Sequence, residues 1–185
     1  MDKIDKALKV AAKAHQGQVR KGTSIPYIVH PVRVGMILQE YGCSEDVICA
    51  GILHDTVEDT EVTLSDISIL FNENVARLVE GCSEPVKEAP WEERKEHTLK
   101  YIMTVDKETG YVICADKMHN LQSIIEDKKE SGDAIWSRFN RGADLQEWYY
   151  RGILASFAKN ENMQETNILQ TLIETVHELF PEEES

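Results

Sequence analysis

Apolar residues return at every third or fourth position through most of this 185-residue chain, and this spacing constrains the fold more than any other feature. The pattern begins with Ile4, Ala7 and Leu8, and it is still present at Leu172 and Val176. No segment alternates apolar and polar residues as a half-buried strand would, and no Asn-Gly pair marks a tight hairpin. We therefore expect an all-α protein.

Capping residues and glycines divide the periodic pattern into separate helices. Pro31 is expected at the first helical position of its helix, Ser44 as the N-cap of the next, and Thr63 at the start of a short helix. The other predicted bounds are Ile4 to Gly17, Pro31 to Gly42, Ser44 through Asp59, Asn72 or Asn74 to Gly81, Trp91 to Val105, Thr109 to about Asp127, Gly132 to Phe139, Asp144 to Lys159, and Asn162 to Phe180. The chain is 42% hydrophobic, and no Pro/Gly/Ser-rich linker interrupts it. A single helical domain over residues 1–185 is expected, with a core of about 4–159 and a C-terminal helix of about 162–180.

The net charge of −13 argues against general nucleic-acid binding, which needs a basic surface. It leaves room for a small anionic substrate, because a metal ion and a few cations can reverse the potential inside one cleft. The N-terminal residues lack the apolar region of a signal peptide, and no run approaches membrane-spanning length. We expect a soluble, cytoplasmic protein with no nucleic-acid or membrane partner.

The stretch from Gly51 to Thr60 concentrates groups that can bind a metal ion or transfer protons. His54 and Asp55 follow an apolar run, and Glu58 and Asp59 follow one helical turn later. On one continuous helix these four side chains would share one side. Such a partly buried cluster of charge is costly unless a cation is bound or the carboxylates are protonated. A metal site is the simpler explanation.

Two residues elsewhere in the chain can complete this site. His30 stands at a predicted helix start, and Asp116 follows the apolar run 112–115, so its carboxylate faces the core. Taken singly, His30 could be a capping or packing residue, and Asp116 a paired core acid. Together with His54 and Asp55 they form a mixed nitrogen and oxygen set. This set suits Mn²⁺ or Fe²⁺ and could accept Zn²⁺, Co²⁺ or Ni²⁺. Open coordination positions on such an ion are what metal-assisted hydrolysis requires.

At these positions the chain resembles the HD-domain metal phosphohydrolases. More narrowly, it resembles the hydrolase domain of the Rel/Spo alarmone enzymes and their stand-alone relatives, from about Ala11 to Phe157. Three motifs carry the resemblance: Arg20-Lys21-Gly22-Thr23-x-x-Pro26-Tyr27-x-x-His30-Pro31, His54-Asp55-x-x-Glu58-Asp59-Thr60, and Ala115-Asp116-Lys117-Met118-His119-Asn120-Leu121. It implies a single HD-domain helical bundle that has neither the synthetase nor the regulatory domains of the long enzymes.

The resemblance also implies an activity and a set of site residues. The family removes the 3′-pyrophosphate from guanosine tetra- or pentaphosphate, giving GDP or GTP and pyrophosphate. One Mn²⁺ is expected, bound by His30, His54, Asp55 and Asp116. Glu58 and Asp59 are expected to orient and deprotonate the attacking water.

Substrate contacts are implied at one loop and two helices. The resemblance places Arg20 and Lys21 at the base and phosphates, although a solvated basic turn would have the same composition. Asn120 would contact the nucleoside, and Ser123 would add a polar contact. The charged segment 92–96 would supply phosphate contacts through Arg94 and Lys95, although an ordinary solvated helix has the same charge pattern.

Further candidates have open roles: Arg138, Arg141 and Tyr149 at the pocket mouth, and His119 one turn from Asp116. Two alternatives to alarmone hydrolysis also stand. One is an HD phosphohydrolase acting on NADPH, a nucleoside monophosphate or a dinucleoside polyphosphate. The other is a catalytically silent HD module that senses nucleotides or binds a partner. The oligomeric state is open.

Overall fold

A computed structural model describes residues 2–84, 88–139 and 141–182 of the chain. Its helices are α1 Lys3–Ala14, α2 Val29–Glu40, α3 Glu45–Leu53, α4 Thr56–Asp59, α5 Leu64–Leu70, α6 Glu73–Cys82, α7 Trp91–Ile102, α8 Lys107–Ser131, a 3₁₀ helix Gly132–Arg138, α9 Ala143–Phe157 and α10 Asn167–Leu179. The described residues form no strand, apart from an isolated bridge between Val19 and Pro26. The all-α prediction is confirmed. None of the helices in the described ranges has both the length and the apolar composition needed to cross a bilayer.

Three predicted helix starts are wrong by a few residues. Helix α8 begins at Lys107 and not at Thr109. Helix α2 begins at Val29 and not at Pro31, and a proline is tolerated in this first turn because its missing N–H has no partner there in any case. Helix α10 begins at Asn167 and not at Asn162. The preceding residues form a turn instead, in which Asn162 N–H donates to the Asn160 side chain at 2.9 Å and Glu165 has a φ of 66°.

The helix predicted from Ser44 through Asp59 is two helices in the structure. Helix α3 ends at Leu53 and α4 begins at Thr56, so His54 and Asp55 stand at the junction. The Thr56 hydroxyl donates to the Leu53 carbonyl at 2.7 Å, a local bond of the kind that competes with helix continuation. His54 and Asp55 therefore do not share the face of one continuous helix with Glu58 and Asp59.

One compact unit comprises residues 1–85 and 107–116. Helix α3 packs against α1, α2 and α6, and α5 packs against α6. Every residue of α3 from Val47 to Leu53 is buried. The crossing with α2 is close, because a Cβ added to Gly51 would lie 2.3 Å from Leu38 Cδ1. The centre of this unit is thus the helix that leads directly into His54.

A second compact unit comprises residues 86–106 and 117–185. Helix α9 packs against both α7 and α10 within it. The buried Asn160 side chain donates to the carbonyls of Ile102 and Val105, at 2.7 and 3.0 Å, and so satisfies acceptors at the end of α7. The single-domain description of residues 1–185 stays a prediction.

Candidate metal centre

Two histidines and an aspartate of the first unit, from three separate segments of the chain, converge on one point. His30 of α2 and His54 after α3 are 1% and 2% exposed, and Asp116 of α8 is half-buried. His30 Nε2 lies 3.1 Å from Asp116 Oδ1, and His54 Nε2 lies 3.7 Å from the same oxygen. One ligand atom from each residue lies within 4.8 Å of the other two. This is a group of side chains that could hold a metal ion.

Asp55, the fourth predicted ligand, lies beside the same two imidazoles. Its Oδ2 atom is 2.9 Å from His54 Nε2 and 3.6 Å from His30 Nε2. The Tyr27 hydroxyl donates to this oxygen at 2.5 Å. The sequence interpretation missed Tyr27, although a hydroxyl-bearing residue beside the predicted metal ligand His30 was an available signal.

The position of His54 suits a ligand that binds through Nε2. Its Nδ1 atom lies 2.7 Å from the Gly51 carbonyl, which can only accept, so Nδ1 carries the proton in that bond. Its Nε2 is buried and faces the carboxylates of Asp55 and Asp116, at 2.9 and 3.7 Å, without a well-aligned hydrogen bond to either. In metal sites the second ring nitrogen of a histidine almost always donates in this way, which orients the first. The residues present therefore fit a divalent metal ion.

The protonation of His54 is coupled to the negative charges of the neighbouring carboxylates. Burial alone would lower the pKa of His54, but the carboxylates of Asp55 and Asp116 outweigh it and raise the pKa well above its usual value. Burial likewise acts to raise the pKa of Asp55, but the charge of His54 outweighs it and lowers the pKa to about 2. For His30, burial lowers the pKa, and Asp116 offsets this only in part. A proton on His54 thus compensates the carboxylates, and a bound cation would take over that role.

Tyr27 keeps its proton in this environment. Burial, followed by the charge of Asp55 and the hydrogen bond to it, raises the pKa of Tyr27 far above its usual value. Ionisation would place a third negative charge beside Asp55 and Asp116. The phenol therefore remains a hydrogen-bond donor to Asp55.

Glu58 and Asp59 occupy different environments on α4. Glu58 is half-buried, and its Oε2 accepts a hydrogen bond from the Glu84 N–H at 3.2 Å. Burial, and then the negative charges of Glu84, Asp59 and Asp55, raise the pKa of Glu58 above its usual value despite that bond. Asp59 is exposed, and its backbone carbonyl accepts from the Gln18 amide at 3.0 Å. Of the two, Glu58 is the one with the environment of a proton acceptor.

The Arg20–Lys21 loop belongs to the same unit as the histidines. Arg20 N–H donates to the Ile25 carbonyl at 2.8 Å, and Tyr27 N–H donates to the Gln18 carbonyl at 2.9 Å, which closes the loop. The Arg20 guanidinium carbon lies 5.8 Å from the centroid of the Tyr27 ring, whereas Lys21 is exposed. Arg20 therefore contacts the side chain that is bonded to Asp55.

The remaining predicted contact residues lie in the second unit, and all four are partly buried: Arg94 and Lys95 on α7, and Asn120 and Ser123 on α8. The Ser123 hydroxyl donates to the His119 carbonyl at 3.0 Å, within the helix itself. The Lys95 ammonium lies 5.0 Å from the centroid of the Tyr149 ring. Their roles toward a substrate stay predictions.

The candidates with open roles lie in the second unit. Arg138 pairs with Asp127 at 2.6 Å, and Arg141 pairs with Glu92 at 2.8 Å. Tyr149 is buried, and its hydroxyl has no hydrogen-bond partner among the described residues. The roles of these three side chains toward a substrate stay open.

Residues 7–141 match the family described as the HD domain. A GTP pyrophosphokinase of Myxococcus xanthus is 36% identical over 132 residues, which is 67% of this chain and 17% of that protein. The guanosine-3′,5′-bis(diphosphate) 3′-pyrophosphohydrolase of Aquifex aeolicus is 34% identical over 125 residues, 66% of this chain and 18% of that protein. The chain thus spans less than a fifth of the length of either curated relative.

A solved structure shares the fold over most of the chain. This is lmo0812 of Listeria monocytogenes EGD-e, which is 38% identical with a TM-score of 0.76. The match covers 83% of this chain and 99% of that protein. The family match also includes His30, His54, Asp55 and Asp116. This chain belongs to the HD-domain family.

Proposed function

We propose that the chain is a metal-dependent phosphohydrolase that removes the 3′-pyrophosphate from guanosine 3′,5′-bis(diphosphate), giving GDP and pyrophosphate. The observation that carries this proposal is the buried pair His30 and His54 beside Asp55 and Asp116, with Glu58 on the next helix. The name of the Aquifex aeolicus relative supports the choice of substrate.

Mn²⁺ is the proposed metal ion, with His30, His54, Asp55 and Asp116 as its ligands. Two imidazoles and two carboxylates form the mixed nitrogen and oxygen set that suits this ion. When bound, the ion would supply Lewis acidity to the phosphoryl oxygens and lower the pKa of water at the site. The Gly51 carbonyl and the Tyr27 hydroxyl hold His54 and Asp55 in place.

The substrate carries several negative charges, and the whole chain has a net charge of −13, so binding depends on local cations. Arg20 and Lys21 are proposed to contact the guanine base and the phosphates. Asn120 and Ser123 are proposed to contact the nucleoside, and Arg94 and Lys95 to contact phosphate.

In the reaction, a water oxygen forms a bond to the phosphorus attached to the 3′ oxygen, and the bond from that phosphorus to the 3′ oxygen breaks. Pyrophosphate leaves with the water oxygen, and the 3′ oxygen of GDP takes up a proton. The Glu58 carboxylate is proposed to accept the proton from water, and Asp59 to orient that water. Partial burial supports Glu58 in this role, since a raised pKa brings a carboxylate closer to the working pH of a general base.

A substrate panel tests the proposal. The metal-free protein is supplied with Mn²⁺ and assayed on guanosine 3′,5′-bis(diphosphate), NADPH, a nucleoside monophosphate and a dinucleoside polyphosphate. Pyrophosphate release from the first compound, lost on chelation, supports the proposal. Turnover of only the other nucleotides would contradict the proposed substrate. Binding without any turnover would contradict the enzymatic role.

A further inference from the structure

Tyr27 contacts both the Arg20–Lys21 loop and the aspartate at the metal centre. Its hydroxyl donates to Asp55 Oδ2 at 2.5 Å. Its ring centroid lies 4.8 Å from that of His15, 5.8 Å from that of His30, and 5.8 Å from the Arg20 guanidinium carbon. We propose that Tyr27 is a positioning residue that fixes the Asp55 carboxylate for the metal ion and sets the Arg20–Lys21 loop for the substrate. The second half of this inference rests on the proposed function.

The hydroxyl matters because Asp55 has competing neighbours. Its Oδ2 lies within 3.6 Å of both His54 Nε2 and His30 Nε2, so either imidazole could draw the carboxylate toward itself. The Tyr27 hydroxyl holds Asp55 Oδ2 in place by a hydrogen bond. Because the hydroxyl is uncharged, the carboxylate keeps the negative charge that attracts a cation. Partners of this kind behind a ligand typically contribute about 10- to 100-fold to metal affinity.

The loop has a second anchor, at the end of α4, through Gln18. The Gln18 Nε2 donates to the Asp59 carbonyl at 3.0 Å, and its Oε1 lies 2.8 Å from Nδ1 of the buried His15. The loop is thus fixed to Asp55 through Tyr27 and to Asp59 through Gln18. Replacement of Gln18 removes one anchor and leaves the Tyr27–Asp55 bond in place.

The first test is Mn²⁺ titration into metal-free protein, without substrate. Tyr27→Phe keeps the ring and removes only the hydroxyl, and we expect its Mn²⁺ affinity to fall about 10- to 100-fold. Gln18→Leu should bind Mn²⁺ as the wild type does, as should Tyr101→Phe, which alters a part-exposed tyrosine of α7. Thermal unfolding of each variant verifies that it is folded. Wild-type Mn²⁺ affinity in Tyr27→Phe would overturn the inference.

The same substitution made in an Asp55→Ala protein tests whether Tyr27 acts by positioning Asp55 or by a general effect on the fold. In Asp55→Ala, the carboxylate that Tyr27 holds is gone, so adding Tyr27→Phe should cause no further loss of Mn²⁺ affinity. An equal loss in both backgrounds would show that the hydroxyl acts through the fold and would overturn the inference.

Kinetics on guanosine 3′,5′-bis(diphosphate) test the loop. Gln18→Leu is expected to raise KM by about tenfold with a smaller change in kcat, because the loop binds substrate in both ground and transition states. Tyr27→Phe should regain much of its kcat when Mn²⁺ is raised to saturation, whereas its KM should stay raised because the loop has lost its bond to Asp55. Unchanged KM in both Gln18→Leu and Tyr27→Phe at saturating Mn²⁺ would overturn the loop half of the inference. If the wild-type protein binds Mn²⁺ but does not hydrolyse this compound, the proposed function fails, and the metal titration still decides the role of the hydroxyl.

Discussion

His54 Nδ1 lies 2.7 Å from the carbonyl oxygen of Gly51, so one turn of buried backbone determines which imidazole nitrogen faces His30 and Asp116. The turn that carries this carbonyl is buried where α3 packs against α2. A backbone acceptor in the core therefore orients a side chain of the candidate metal centre.

Replacement of His54 by alanine should weaken Mn²⁺ binding strongly. Loss of a partner behind a ligand already costs about 10- to 100-fold, so loss of a direct ligand should cost at least about 100-fold. His177→Ala, which alters an exposed histidine of α10, is the matched control and should bind as the wild type does. The measurement is calorimetric titration of the metal-free proteins. Equal affinities in the two variants would exclude His54 as a ligand.

Glu58→Gln should keep Mn²⁺ affinity and lose turnover by about 10²- to 10⁴-fold, the usual contribution of a general base. Glu61→Gln replaces an exposed glutamate three residues later and should retain activity. Steady-state kinetics and metal titration are measured on the same preparations. If Glu58→Gln loses Mn²⁺, the residue is a ligand, and if it retains full turnover, the base lies elsewhere.

Gly51→Ala should destabilise the protein. The added Cβ would lie 2.3 Å from Leu38 Cδ1 and 3.2 Å from Val34 Cγ1, both in buried residues. Overpacking of this kind costs about 1–3 kcal/mol, against roughly 1 kcal/mol gained in helix propensity. We expect a net loss of about 1 kcal/mol and a Tm lower by about 2–4 °C. Gly142→Ala, with open space at its Cβ, should melt within about a degree of the wild type, and equal Tm values in all three proteins would contradict the close crossing.

Asp46 should stabilise the first unit in a pH-dependent way. It accepts hydrogen bonds from Asn72 and Asn74, both at 3.1 Å, and pairs with Lys3. Burial alone would raise the pKa of Asp46, but these partners together outweigh it and lower the pKa below 3.8. Because the folded pKa is depressed, the stabilisation is present above pH 3.8 and is lost as the pH falls through the lower folded value.

Asp46→Asn is therefore expected to cost about 1–2 kcal/mol of unfolding free energy at pH 7, and the deficit should shrink as the pH is lowered below 4. Urea unfolding between pH 7 and pH 3 measures the cost at neutral pH and its decrease in acid. Asp5→Asn, which breaks an exposed pair with Lys9, should change stability by less than about 0.5 kcal/mol. A deficit that stays constant down to pH 3 would show that the charge of Asp46 is not the cause.

Asp116 illustrates what could be predicted from the sequence. All four residues of the apolar run 112–115 on α8 are buried, as such a run predicts, and the carboxylate that follows it lies 3.1 Å from His30 Nε2. The all-α fold followed from periodicity in the same way. Burial patterns of this kind depend on composition and spacing alone.

The junction at His54 and Asp55 illustrates what could not be predicted. At the break between α3 and α4 the Thr56 hydroxyl bonds the Leu53 carbonyl, and the Tyr27–Asp55 bond joins residues 28 positions apart. The spacing of residues along a helix does not predict the Thr56 bond or the Tyr27–Asp55 bond. Whether Asn120, Ser123, Arg94 and Lys95 contact substrate, as proposed, depends on side-chain distances that the motifs alone do not specify.

Pyrophosphate release from guanosine 3′,5′-bis(diphosphate) tests the central claim most directly. The Mn²⁺-loaded protein is compared with the chelated protein and with Asp55→Ala at equal concentration. We expect stoichiometric GDP and pyrophosphate from the loaded protein, and loss of both products on chelation and in Asp55→Ala. Equal product formation by the loaded protein and Asp55→Ala, or no release from the loaded protein, would contradict the account.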